Sequence, residues 1–296
     1  MNHRIFRHDL SRPDYVNDAE EHAEETEEEA ASLETHPQSV DMSLSPLYLN
    51  ARIDLVLDPE AVKLGTWESW VGAMQVHHAM FVMTTRPEGT PVEFLVNHKI
   101  RRTTAIGPRY CANASNWLTA FALAMTCRDE KRWTELCEIP VDSLREWGES
   151  DGAQYDPYVY HWIAAIQAFL LNRSDLADEL QAAFELSDPG VVRYGSEEAV
   201  NKVIFPPMKV FLQLVGNEPE EFNSALAEGL ELWRDYFTSD EKRAKSINGA
   251  IPLLLLAFAC MAYDISQHDP GFQLEVESDF LPKHIVQNSW YGQFPI

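Results

Sequence analysis

Three carboxylates, Glu275, Glu277 and Asp279, stand two residues apart near the end of the 296-residue chain. In an extended segment that spacing turns all three to one face, where they could hold a divalent cation or offer negative charge to a basic partner. The same residues also suit a local role, with Ser278 or Asp279 capping a short helix over Phe280-Leu281-Pro282. Tyr155, Asp156, Tyr158 and Tyr160 crowd the start of an expected helix. Tyr158 falls in that helix's apolar stripe, which leaves Tyr155 and Tyr160 either exposed, as tyrosines often are at interfaces, or packed beside the core. His77 and His78 are adjacent on another expected helix, so they point about 100 degrees apart and do not share a metal. The chain has no HExxH, no glycine-rich phosphate loop and no GxSxG. No nucleophile, base and oxyanion donor can be assembled from it, so the expectation is no catalytic residue, no metal ligand and no cofactor.

Charge narrows the class of partner. A net charge of −24 argues against direct binding of nucleic acid, whose phosphates attract basic surfaces. It suits either general solubility or a basic partner met by electrostatic steering. Residues 13–51 contain no Lys or Arg, and Glu24, Glu25, Glu28 and Glu29 belong to a dense acidic run from Asp14 to Glu34. Like charges at i, i+4 repel, so residues 1–46 are expected to form an acidic arm, disordered or a marginal helix, ahead of one folded domain over 47–296. The four cysteines show no CxxC spacing and sit among apolar neighbours, as reduced, buried thiols do. The N-terminus lacks a signal-peptide core, and the longest apolar run, Ile251–Tyr263, is short for a bilayer. A cytoplasmic protein without membrane contact is expected.

The elements that must position these residues are helical. Tyr158, Trp162, Ala165, Ile166 and Phe169 form one apolar stripe and Leu176, Leu180, Ala183 and Phe184 a second. The polar break Asn172-Arg173-Ser174-Asp175 between them implies an antiparallel helical hairpin. Similar breaks at Cys127-Arg128-Asp129-Glu130 and Gly216-Asn217-Glu218-Pro219 give a spacing of about 45 residues, as in helical-pair arrays. A further step reaches Tyr263-Asp264. The fold class is therefore all-α, built from stacked antiparallel helical hairpins, either as a repeat or as an irregular stack. One exception is expected near 92–106, where VEFLV and IRRTTAI flank Asn97-His98-Lys99 as a β-hairpin. A long helix is expected to start at Asp58-Pro59-Glu60, with Val62, Trp67, Trp70, Val71, Met74 and His78 on one face. Pro206-Pro207 should kink or split its own helix.

Four motifs in order carry a family likeness: Cys127-Arg128-Asp129 with the run Leu136–Pro140, then Tyr155-Asp156-Pro157-Tyr158-Val159-Tyr160 with Trp162, then Phe205-Pro206-Pro207, then Glu275 through Pro282. From about Asn113 onward the chain resembles the Imm49 immunity proteins of bacterial polymorphic toxin systems. Phe205 and Phe280 stand where tyrosine is usual, a difference of one hydroxyl. The resemblance implies a mostly helical cytoplasmic protein that binds and neutralises a toxin encoded beside it, without catalysis. It does not fix the toxin. An intracellular nuclease, with a cleft made basic for phosphate, would suit so acidic an inhibitor. Candidate toxin-binding residues are Glu24, Glu25, Glu28 and Glu29 of the arm; Tyr155, Asp156 and Tyr160; and Glu275, Glu277 and Asp279. The alternatives are a metal-dependent helical enzyme using the last three carboxylates, and a helical-repeat scaffold.

Overall fold

A computed structural model describes residues 4–289. Among them the chain is helical apart from one two-stranded sheet and an isolated bridge. The N-terminal part comprises α1 (Pro13–Thr35), α2 (Val40–Leu57) and α3 (Leu64–Thr84), then β1 (Pro91–Val96) and β2 (Lys99–Thr104). Trp67, Trp70, Val71, Met74, Val76, Met80 and Phe81 of α3 are all buried. They lie around the whole helix, as in a helix central to a core. The strands pair antiparallel with Val96 opposite Lys99. Asn97 and His98 both adopt positive φ, 50° and 60°, the geometry of a two-residue turn that matches strand twist. The expected hairpin is present.

Two expectations about this half are corrected. The Asp58-Pro59-Glu60 helix start is instead the end of α2, and α3 begins at Leu64. The Asp58 carboxylate accepts from the Lys63 amide and the Thr66 hydroxyl, each at 2.8 Å, which holds the connecting turn and leaves Val62 exposed. The boundary at 46/47 falls inside α2, and residues 13–35 are a helix packed on the rest. Ala30 and Leu33 are buried. Glu27 pairs with Lys99 and, at 2.9 Å, with Arg101, while Glu34 accepts from the Arg102 amide at 2.9 Å and pairs with Arg101 at 3.4 Å. Arg101 is itself buried, so these carboxylates compensate a charge that the interior would otherwise reject. The repulsion along α1 is offset by cations some seventy residues away.

That contact has a pH signature. Burial alone would raise the Glu27 carboxyl, but hydrogen bonds from Lys99, Asn97 and Arg101 outweigh it and hold the group at about 2, against 4.5 for a free glutamate. A folded-state value below the unfolded one contributes stability above pH 4.5 that is lost as pH falls toward 2. Glu27→Gln is therefore expected to lower stability at neutral pH and to flatten the acid limb between these values. Urea midpoints measured across that window check it; an unchanged acid limb would contradict it.

The second half is built from hairpins. They are α4 (Ala114–Thr126) with α5 (Glu130–Cys137), α7 (Tyr158–Leu170) with α8 (Leu176–Leu186), and α10 (Phe205–Val215) with α11 (Pro219–Phe237). Between and after them lie α6 (Val141–Gly148), α9 (Glu197–Ala199), α12 (Glu241–Ala244), α13 (Leu253–Ser266) and α14 (Lys283–Val286). All three hairpin turns close in the same way. Arg128, Asn172 and Asn217 take positive φ of 56°, 51° and 56°. In each turn the next residue's amide reaches back five residues: Asp129 to Ala124 (3.0 Å), Arg173 to Ala168 (2.7 Å) and Glu218 to Gln213 (3.0 Å). These are Schellman stops. The fourth expected turn is absent, because α13 runs straight through Tyr263-Asp264. The helical run is divided, as expected, by a π turn over Val200–Ile204 that separates α9 from α10 ahead of Pro206 and Pro207. Both prolines occupy the first turn of α10, where a missing N–H costs least.

The core of this half centres on α13. Leu255 through Cys260 are buried, and Phe258 packs against Phe211 of α10 and Trp162 of α7. Residues 247–266 have the length and apolarity to cross a bilayer, but 67% of the stretch is buried inside the protein. The four cysteines are free and buried, as expected, and burial pushes the Cys137 thiol up to about 12. Arg128 ties the layers together. Its guanidinium forks onto Asp264 (2.9 and 3.1 Å) and donates to the carbonyls of Thr126, Cys260, Ile285 and Val286.

Candidate interaction surface

The three groups of expected site residues sit on different elements and have different surroundings. On α1, Glu24, Glu25 and Glu28 are exposed, whereas Glu29 faces α2 and accepts from the Ser43 hydroxyl at 2.6 Å. Glu29 is thus engaged within the fold.

The tyrosine group is mostly structural. Tyr160 is buried, the packed one of its two expected placements, while Tyr158 and Phe169 of the stripe are half-buried. Here α7 is covered on two sides, so one stripe does not describe its buried surface. The Tyr160 phenol donates to Glu149 at 3.0 Å, and Arg145 of α6 lies over its ring at 4.3 Å. Burial, and then Glu149, push that phenol well above its ordinary range. Tyr155 is half-buried and packs edge-on against Tyr160 at 6.2 Å. Asp156 is also buried; its two oxygens accept from the backbone amides of Arg193 (2.8 Å) and Tyr194 (3.0 Å). A carboxylate with two amide donors is a loop anchor, and it fixes the segment between α8 and α9.

The third group lies on an extended segment, as its alternation implied. Ile5 bridges to Ser278, with the Ile5 amide on the Glu277 carbonyl (3.0 Å) and the Asp279 amide on the Ile5 carbonyl (3.2 Å). Leu274 and Val276 pack on the core, and Glu275 and Glu277 are exposed. The three carboxylates do not act as one set. Asp279 is taken by the Arg4 guanidinium (2.8 Å) and the Arg7 amide (3.3 Å). Among the described residues no group of three His, Cys, Asp or Glu side chains is placed to hold a metal ion. Part of the expected local role is present: the Ser278 hydroxyl accepts from the Phe280 amide at 3.1 Å.

Glu275 and Glu277 have acidic neighbours that the sequence pattern did not reveal. Asn223 of α11 accepts from the Glu275 amide (2.8 Å) and donates to the Gln273 carbonyl (2.7 Å). This clamp sets Glu275 beside the first turn of α11, where Glu220 and Glu221 are exposed and where the positive helix terminus favours them. Beside it a groove of about 370 Å³ is floored by Leu274, Val276, Leu281 and Val286, with Glu60 and Glu277 in its lining. The Arg4–Asp279 pair and Lys283 also line it. Nothing in the local pattern around Asn223, or in the Arg4-Ile5-Phe6-Arg7 run, signalled a contact across more than fifty or two hundred and seventy residues. The arrangement is suited to holding a cationic side chain of a partner rather than to moving protons.

Fold and surface together define an acidic all-α protein whose buried cations are structural and whose outward carboxylates lie beside a groove of mixed polar and apolar lining. The family model of Immunity protein 49 matches residues 58–285, and the chain belongs to that family. No curated protein and no solved structure matches it. The match takes in α3 through most of α14, including the 275–279 segment, while α1 and α2 precede it.

Proposed function

We propose that this protein is a cytoplasmic immunity protein that binds a cognate antibacterial toxin and neutralises it in a tight stoichiometric complex. The observation that carries the proposal is the match to the immunity family across 58–285. The net charge of −24 and the ridge formed by Glu220, Glu221, Glu275 and Glu277 support a toxin with a basic surface. An intracellular effector such as a nuclease has that character, since a cleft that holds phosphate is positively charged. A standard interface of about 1,600 Å² with acidic steering is sufficient for tight inhibition. Catalysis has no part in this function.

Co-expression with the toxin encoded by the adjacent gene tests the proposal. Cells carrying both genes should survive where cells carrying the toxin alone die, and the two proteins should purify together. Death despite good expression of both would overturn it. Steering makes a separate prediction: Glu275→Lys with Glu277→Lys should slow association roughly tenfold at low salt and change dissociation little. Stopped-flow rates at rising ionic strength should converge for wild type and variant as the charges are screened. Rates equal at low salt would remove this ridge from the encounter.

A further inference from the structure

Among the large apolar side chains left exposed, Val191 (48%), Tyr194 (56%), Phe205 (36%) and Leu212 (40%) lie on a short stretch of chain between α8 and the end of α10. Phe205 and Leu212 are seven residues apart on α10, so they share one face with Lys209 between them, whose ammonium is drawn aside to Glu228 of α11 at 2.6 Å. Phe184 of α8 extends that face, its ring 5.4 Å from the Phe205 ring. The loop carrying Val191 and Tyr194 abuts the start of the same helix. A methyl group at Gly195 would meet Val192 and Val200 at 3.3 Å and Ile204 at 3.9 Å. The loop's course is set from within, because the buried Asp156 carboxylate accepts the amides of Arg193 and Tyr194, and the Tyr194 hydroxyl pairs with Gln154.

Acidic residues stand at both ends of this apolar face. Near the loop, Glu185, Asp188 and Glu197 are exposed, with Arg193 the exposed cation among them. At the other end α10 stops at the Gly216-Asn217 turn, where the Leu212 carbonyl and the Glu218 side chain both approach Gly216. Glu218, Glu220 and Glu221 follow, and Asn223 joins them to Glu275. The helix between the two ends has 11 residues, about 16 Å. An apolar, aromatic centre inside a charged rim is the usual anatomy of a protein interface. The acidic rim selects a basic occupant.

We infer that the α10 face, with Val191 and Tyr194 of the loop held by Asp156, is the apolar centre of the toxin-binding surface. It meets aliphatic or aromatic side chains set in a basic region of the toxin, and the Glu218–Glu277 ridge forms one edge of the contact. Asp156 is a positioning residue, acting through the loop rather than touching the toxin. The inference rests on the immunity reading proposed above.

The test uses the full-length protein and the purified product of the adjacent toxin gene. Tyr194→Ala with Leu212→Ala removes only side chains that are already more than a third exposed, so the fold should persist, as circular dichroism would verify. Loss of two central anchors should raise the dissociation rate by about 30-fold or more and leave association nearly unchanged. Asp156→Asn should raise amide exchange at Arg193 and Tyr194 and speed toxin release, whereas a role confined to stability would not concentrate the exchange there. A dissociation rate within about threefold of wild type for the double variant, with wild-type binding intact, overturns the inference and leaves the immunity reading standing. So does sedimentation showing a dimer of this chain that the double variant dissolves without affecting toxin binding. If the wild type forms no complex with the toxin, both fall.

Discussion

Replacing Arg128 with alanine should cost the fold about 3 kcal/mol, because the carbonyls of Thr126, Cys260, Ile285 and Val286 would lose a charged donor, while the half-exposed Asp264 can return to water. Against the roughly 5–15 kcal/mol by which domains are stable, that is a large share. The guanidinium bridges the α4–α5 turn, the Asp264 carboxylate on α13 and the carbonyls of Ile285 and Val286 on α14. Without it, those carbonyls would have to find water in a space shaped for a side chain. The position is costly in a second way: Arg128 is in the left-handed region at φ 56°, a conformation that glycine and asparagine adopt more readily. Asn172 and Asn217 take the same place in the other two hairpins, so arginine here is retained against local preference for the sake of its side chain. Arg128→Lys should recover only a minor part of the loss, since an ammonium cannot fork onto Asp264 and also reach the carbonyls. Urea unfolding followed by tryptophan fluorescence measures both variants. A loss below about 1 kcal/mol, the scale of an exposed pair, would show that the network contributes little.

Trp162→Ala should be at least as damaging, at about 3–5 kcal/mol, as buried aromatic-to-alanine changes are. Trp162 is buried on α7, edge-on to Phe211 at 5.1 Å and to Phe258 at 6.0 Å. It therefore joins the second hairpin to the third and both to α13. The cavity would open where three helices meet, with no exposed side able to collapse into it. Trp162→Phe keeps most of the apolar contact and should cost much less. A Trp162→Ala protein with the wild-type urea midpoint would mean that the buried face of α7 has been misassigned.

Much of this architecture is legible locally, and the failures have local causes too. The α7–α8 hairpin follows from two apolar stripes and a polar break, and the β-hairpin from alternation around Asn97-His98. Each of these depends on residues close in sequence. Asp58-Pro59-Glu60 reads as a helix start because Asp-Pro-Glu is a common helix opening, whereas Asp58 here follows the last turn of α2 and holds the next turn with one carboxylate. The order of α1 was hidden because its acidic run repels itself, and the residues that compensate it, Lys99 and Arg101, come from a distant strand. The stripe alone leaves the placement of Tyr160 open, because it describes a helix covered on one side, and α6 covers α7 on another. At the surface, the exposure of Glu275 and Glu277 followed from their alternation with Leu274 and Val276. The strand-like partner at Ile5, the Arg4 claim on Asp279 and the Asn223 clamp did not, because each is a long-range contact made by residues with no local pattern. The sequence marks Asp156 as a candidate contact, whereas its carboxylate holds the 193–194 loop from behind.

The central claim is neutralisation by stoichiometric binding, and titrating toxin activity with this protein tests it most directly. The product of the adjacent gene, held at a concentration well above the dissociation constant, should lose activity linearly and reach zero at one immunity protein per toxin. Residual activity that levels off short of zero, or inhibition that needs a large excess, would contradict the account.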